Sequence, residues 1–208
     1  MLLPMLMVLI PNTAWASDPN DDTVLLDGVS YHVLRNLDDW ERFRQLVEEA
    51  GGDSDVNAIM DADLSVTTMI GVPDRKPFRG IFNGNGHTLN VAIEGNGYYM
   101  APFHYVRNAT ITDLHVTGYV YGTKHNGGLC GFCDDVTIER CWVSTTVKSE
   151  DPDGHFVGGF TGHTRKSHIT ITDGVFDGNL IIIANDKYDN FAGAFFGWGE
   201  DGVTWDAT

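Results

Sequence analysis

The sequence is short of positive charge. Of its 208 residues, 13 are Lys or Arg against 29 Asp or Glu, a formal net charge of −16 at pH 7. Phosphate recognition needs a basic face, so this balance argues against nucleic acid as a partner and against anionic membrane surfaces. Long apolar runs are missing too: none reaches the roughly 18 residues that a bilayer-spanning helix requires. Cysteine is scarce, at three residues, and an odd number cannot form a fully paired disulfide framework within one chain. Catalytic signatures are also lacking. There is no HExxH, no GxSxG and no GxxxxGK[ST]. Gly84-Asn85-Gly86 reads as a turn, with no second half of a dinucleotide fingerprint behind it.

What is present points to a folded, turn-rich chain. Hydrophobic residues make up 42%, charged residues only 20%, aromatics 11%, and there are 24 glycines. That composition fits strands and turns better than a helix bundle, and it is not that of a disordered chain. The length suits one domain with a small appendage, large enough to bury a core without staples.

The first ten residues, MLLPMLMVLI, are almost wholly apolar; Pro11 and Asn12 break the run, and Ala14-Trp15-Ala16 precedes a polar stretch. This is the apolar core and small-x-small cleavage site of a secretory signal peptide over residues 1–16, although no Lys or Arg precedes the run. A buried strand or helix is the alternative. Export would place the chain outside the cytoplasm, secreted or at the cell surface. There a disulfide between two of Cys130, Cys133 and Cys141 is possible chemistry. The simpler reading of Cys130-Gly-Phe-Cys133 and Cys141 is small residues stacked in a core, because no second ligand pair completes a zinc site.

The chain repeats itself. Thr110-Ile111-Thr112-Asp113-Leu114-His115-Val116 returns at residues 137–143 and 170–176, and a truncated copy begins at Thr204; the Thr-to-Thr steps are 27, 33 and 34 residues. A second element, Gly127-Gly128-Leu129-Cys130-Gly131, returns at 158–162 and 193–197, with a degenerate copy at 100–104. Its apolar anchors are taken as Phe103, Leu129, Phe160 and Phe195. Each unit is too short to bury its own apolar face, so stacked units must share a core. The alternating Val, Ile, Thr and aromatic residues favour strands. Glycines sit where backbones turn or pass closely. A parallel β-helix satisfies all of this; an antiparallel sandwich leaves the register-locked repeats unexplained. Insertions such as residues 149–154 fall between strands.

The stretch before the repeats has helical spacing instead. Residues 37–50 carry apolar side chains at Trp40, Phe43, Leu46 and Val47, an Asp available as N-cap, and Gly51-Gly52 as the stop. A short amphipathic helix here would plug the open end of the coil stack, with Trp40 and Phe43 as core anchors. The expected organisation is a signal peptide at 1–16, an N-terminal segment with its capping helix at 17–56, and β-helix repeats at 57–208. The last repeat stops mid-strand, which suggests part of a longer polypeptide.

Two patches are distinctive: residues 57–64 followed by Ile70-Gly71 and the stretch from Pro77-Phe78-Arg79-Gly80 to His87-Thr88-Leu89, and the recurring Gly-Gly-Leu/Phe-x-Gly element. Together they resemble the Gly-rich right-handed β-helix modules of secreted bacterial surface proteins, including those with the short GLUG repeat, which look like relatives of the pectin-lyase-like fold. The resemblance covers roughly residues 30–208. It implies an all-β, right-handed parallel β-helix with an N-terminal capping helix, in a structural or adhesive part of a surface or secreted protein. Its implied partners are extracellular glycans or host and cell-surface proteins. It does not specify an activity.

Chemistry has candidates but no defined site, and no catalytic, cofactor-binding or metal-binding residue is assigned. Glycoside hydrolysis needs two carboxylates on one groove. Asp113, Asp173, Asp206 and Glu139 recur by repeat position, with Arg140 standing in the place of Asp113. A lyase would pair acidic calcium ligands such as Asp134-Asp135 with a base such as Arg140 or Lys148. Clustering of Asp113, Asp134, Asp135 and Asp173 beside a cleft would favour a polysaccharide lyase or glycoside hydrolase. His87 is expected to bond backbone within its turn; His104, His115, His125, His155, His163 and His168 are scattered. No cofactor is expected. Calcium is the open alternative, in the acidic loops at 18–22 and 151–154, though solvated loops suffice to explain them. A carbohydrate-binding module predicts a row of exposed aromatics spaced by one coil, from among Tyr98, Tyr99, Tyr119, Tyr121, Trp142 and Trp198.

Overall fold

The computed structural model describes residues 22–51, 55–72, 76–150, 155–165, 167–183 and 189–207. The expected signal peptide, most of the acidic loop at 18–22 and the loop at 151–154 lie outside these residues.

Successive repeats wind as coils that contribute strands to three sheets, of ten, seven and three strands. In the first sheet, Phe78–Asn83, Phe103–Thr112 and Cys130–Glu139 stack in parallel and are followed by Thr161–Thr164 and His168–Thr172. The second sheet stacks Leu64–Val66, Thr88–Glu94 and His115–Gly122, then Trp142–Val143 with Thr146–Ser149, then Val175–Phe176 with Asn179–Ile182. The third is Asn126–Gly127, His155–Gly158 and Asn190–Gly193. Among the described residues, the strands pair in parallel apart from the opening hairpin Thr23–Leu26 with Val29–Leu34, and one isolated antiparallel bridge joins Val72 and Lys76. This is a mostly-β, β-helix-like solenoid.

Inside the coils, equivalent apolar residues sit on one another. One column runs Phe82, Ile111, Ile138, Ile171, and another runs Leu64, Leu89, Val116, Val143. All of these are buried. At about 25 cal/mol per Å² of apolar surface, such columns are the main favourable term.

The helix, α1, spans Leu37–Ala50 and buries Trp40, Phe43 and Val47. The Trp40 ring meets Phe82 and Phe103 edge-on at 6.3 and 6.4 Å, and Phe43 meets Phe78 at 5.8 Å. The helix therefore packs its apolar stripe on the first coils' core. Its stop is Gly51, at φ +67°. Its N-cap is Asn36 rather than an Asp: the Asn36 side chain accepts the Asp39 N–H at 3.0 Å, and Asp38 and Asp39 fill the first turn, where acidic groups favour the helix dipole. Leu46 is only partly buried.

Two register expectations change. Thr204 stacks on His168, so Asp206 and not Thr204 lies beside Thr170. The slip is two residues, which preserves the in–out alternation of a strand and so leaves no mark on its pattern. Phe103 stacks on Cys130, one place along from the Leu129, Phe160, Phe195 anchor column. The glycine repeats at 127, 158 and 193 do align.

Candidate functional site

The carboxylates selected by repeat position serve the turns of the coil. Asp113, Arg140 and Asp173 occupy the corner between the first and second sheets, all left-handed at φ +54°, +49° and +52°. Arg140 grips Asp113 through two hydrogen bonds of 2.7 and 2.8 Å and reaches Glu139 at 3.1 Å. The guanidinium and the Thr112 hydroxyl hold the Asp113 carboxyl below its usual range, against the opposing pull of burial. Asp134 is paired to Arg107 at 2.9 Å. Asp135 lies at a second left-handed bend, φ +53°, and accepts the His168 N–H. Asp206 contacts His168 Nε2 at 3.2 Å, and Lys148 is paired with Glu150. These carboxylates are divided between separate bends and edges of the solenoid. Two small concavities lie elsewhere, one beside Arg35, Asp61 and Asn85, the other beside Asp22, Asp39 and Arg42.

The histidines also find local roles. His87 departs from expectation: its Nδ1 faces the Asp63 carboxylate at 3.2 Å rather than backbone. His104 bonds the Tyr98 carbonyl at 3.1 Å, and buried His155 meets Ser149 Oγ at 3.3 Å.

His125 and His163 belong to an arrangement that sequence reading missed. The corners at 127–131, 158–162 and 193–197 each carry an aromatic or imidazole ring two residues before them and another one residue after them, and the degenerate copy at 100–104 is flanked directly by Tyr99 and Tyr105. These rings form two columns, Tyr99–His125–Phe156–Phe191 and Tyr105–Phe132–His163–Trp198. His125 stacks on Tyr99 and Phe156 at 5.4 and 4.7 Å, Phe156 on Phe191 at 5.5 Å, and Tyr105 on Phe132 at 4.8 Å. Phe132 meets His163 at 4.8 Å and His163 meets Trp198 at 4.7 Å, both edge-on. The columns touch through His125 and His163, 4.9 Å apart. Nδ1 of both histidines is buried without a hydrogen-bond partner. Burial pushes His125 down to about 3, helped by His163 and Lys124, and pushes His163 down to about 4. This spine packs outside the coil but largely on itself. The flanking-ring signal was present in the sequence at every copy.

The remaining candidates meet on the outer face of the second sheet. Thr88, His115, Trp142 and Val175 form one row across four coils. Tyr119 stacks between Ala92 and Thr146, and Tyr121 between Glu94 and Lys148. Trp142 is 46% exposed, with its ring stacked on His115 at 4.3 Å and 14°. Tyr119 and Tyr121 lie 4.7 Å apart, and Lys148 Nζ sits over the Tyr121 ring at 5.6 Å. The row of aromatics spaced by one coil that a carbohydrate-binding module predicts is not formed here: Trp142 stands between His115 and Val175, Tyr119 and Tyr121 share one strand, and Tyr99 and Trp198 go to the spine.

A polar network runs through this face. His115 Nε2 lies 3.1 Å from Ser144 Oγ, and Thr88 Oγ1 is 3.5 Å from His115 Nδ1. The Ser144 and Trp142 side chains donate to Asp177, which holds its carboxyl below the usual range. Burial lowers the His115 pKa, with Asp177 and Asp63 opposing. The roles at the ring follow its tautomer: with Nε2–H donating to Ser144, Nδ1 accepts from Thr88 and the Ser144 hydroxyl donates to Asp177, whereas with Nδ1–H donating to Thr88, Nε2 accepts from Ser144. The neighbouring N–H groups are spent in the sheet, Ser144 N on the Val116 carbonyl and Asp177 N on the Val143 carbonyl.

The three cysteines are free and buried and belong to the main core cluster. Burial pushes the Cys141 thiol up to about 12 and raises Cys130 well above its ordinary value, so both are protonated packing residues. Among the described residues, no group of three or more His, Cys, Asp and Glu side chains is placed to hold a metal ion. None of the helices among them is long and apolar enough to cross a membrane. Comparison with family models, with curated proteins and with solved structures finds no match.

Proposed function

We propose that the chain is an exported, non-catalytic β-helix module, a structural or adhesive part of a bacterial cell-surface or secreted protein. In this reading the coil is right-handed and belongs with the GLUG-repeat-like, pectin-lyase-like modules, and the chain works within a longer polypeptide that contacts extracellular glycans or surface proteins. The observation that carries it is the fate of the acidic candidates. Asp113 and Asp134 are each locked to an arginine of a neighbouring coil, and Asp135 and Asp173 hold left-handed bends. They stiffen the solenoid rather than converge on a cleft. Continuous buried columns and a self-packed aromatic spine add rigidity, which a stalk or a presenting scaffold requires.

The test has two arms. The full chain, expressed in a bacterial host, is fractionated and its N-terminus sequenced; extracytoplasmic protein beginning at Ser17 is expected. The purified protein is incubated with polygalacturonate and with neutral polysaccharides, with and without calcium, and followed for reducing ends and unsaturated products. No cleavage is expected. Sustained cleavage would overturn the non-catalytic reading, and unprocessed cytoplasmic protein would overturn export.

A further inference from the structure

We infer that the outer face of the second sheet, centred on Trp142 and Asp177, is a binding platform for an extended, uncharged hexose polymer. The inference deepens the adhesive reading and rests on it. Trp142 is the large aromatic of this face that stays half exposed, between His115 on the buried side of the stack and Val175 on the more open side. An indole backed on one side by His115 at 4.3 Å is a rigid apolar plate that loses little freedom on binding. Around it stand hydroxyl, amide and carboxylate groups suited to sugar hydroxyls: Asp177, Ser144, Asn90 and Thr117. Thr117 Oγ1 and Asn90 Oδ1 are 3.3 Å apart, and Asn90 Nδ2 is 3.4 Å from Ser65 Oγ. These groups are oriented before any ligand arrives.

Shape and charge narrow the occupant. The face runs across several stacked coils, which favours a polymer that sums many weak contacts over a small molecule that needs enclosure. Rows on adjacent coils lie one strand spacing apart, about 4.8 Å, close to the length of one pyranose unit in an extended chain. Carboxylates of Asp63, Asp177, Glu94 and Glu150 dominate the face, while Lys148 is tied to Glu150 and His115 is held towards its neutral form. With the whole chain at −16, uronate and sulfated polymers are repelled, which leaves uncharged glycans as the polysaccharides this face accepts.

The experiment is affinity electrophoresis of the full chain in gels containing mixed-linkage β-glucan, galactomannan, dextran or polygalacturonate. The variants are Trp142→Ala and the near-isosteric Asp177→Asn, with thermal melts to verify folding. At least one neutral polymer is expected to retard the wild type and polygalacturonate is not. Trp142→Ala should weaken retardation by about tenfold or more, and Asp177→Asn should weaken it with an unchanged melt. Retardation that survives both substitutions, absence of retardation by every neutral polymer, or preference for polygalacturonate overturns the site. New reducing ends in the same mixtures, with Trp142-dependent retardation intact, overturn the non-catalytic reading and leave the site standing.

Discussion

A buried imidazole with no hydrogen-bond partner at Nδ1 makes the fold sensitive to acid. His163 titrates near 4 in the folded chain because burial disfavours its charge, against about 6.5 when unfolded. Between these values the unfolded chain takes up a proton that the fold refuses. The contribution is therefore fully present above about pH 6.5 and is lost as pH falls towards 4. Glu200, 3.6 Å from Nε2, offsets part of the penalty. Replacing His163 by Phe should spare on the order of 2 kcal/mol of the stability lost between pH 7 and pH 4. Urea unfolding at the two pH values should show a smaller shift in midpoint for the variant. At the opposite end of the coil, Trp40→Ala should cost about 3–5 kcal/mol, because the ring is wholly buried and the aromatic cluster around it cannot close the gap; thermal or urea unfolding measures it.

At the scale of elements, the tight corner explains why glycine recurs. A Cβ at Gly162 would collide with the His125 carbonyl of the coil before, whereas Gly86, at φ +78°, has open space where a Cβ would stand. Gly162→Ala should thus cost about 1–3 kcal/mol through overpacking, and Gly86→Ala only about 1 kcal/mol through left-handed strain; chemical unfolding of the two variants separates close approach from conformation. Much of this was legible in sequence. The helix at Leu37–Ala50, its glycine stop and the alignment of residues 110, 137 and 170 follow from period and turn chemistry. The cap was not, since Asn36 and the following aspartates all suit it by type. The register of Thr204 was hidden because a two-residue slip conserves the pattern. The outer face was hidden for a different reason: Asp63, Thr88, His115, Ser144 and Asp177 come from five coils of unequal length, and only the register brings them together. The spine was legible in the rings at 125, 132, 156, 163, 191 and 198 that flank the glycine corners.

For the whole molecule, burial falls along the solenoid axis. Strands His115–Gly122 and Cys130–Glu139 lie between neighbours on both sides, while Val175–Phe176, Asn179–Ile182 and Asn190–Gly193 are largely exposed, with Val175, Ile181 and Phe191 between 40 and 51%. Each coil is held by its neighbours, so opening should begin where neighbours are fewest. Hydrogen exchange on the 208-residue chain should find the slowest amides in the central coils and progressively faster ones towards residues 175–207. Uniform protection would mean that the coils open only together.

The aromatic spine also gives the molecule an optical property. Tyr105 heads the column that ends at Trp198, whose ring lies 4.7 Å from that of His163, and Tyr99 heads the column packed beside it. At such separations tyrosine excitation passes readily to indole, and a protonated imidazole quenches indole emission. The brightness of Trp198 under tyrosine excitation should therefore report on the molecule's own protonation, dimming in acid as His163 gains its charge, without any label attached.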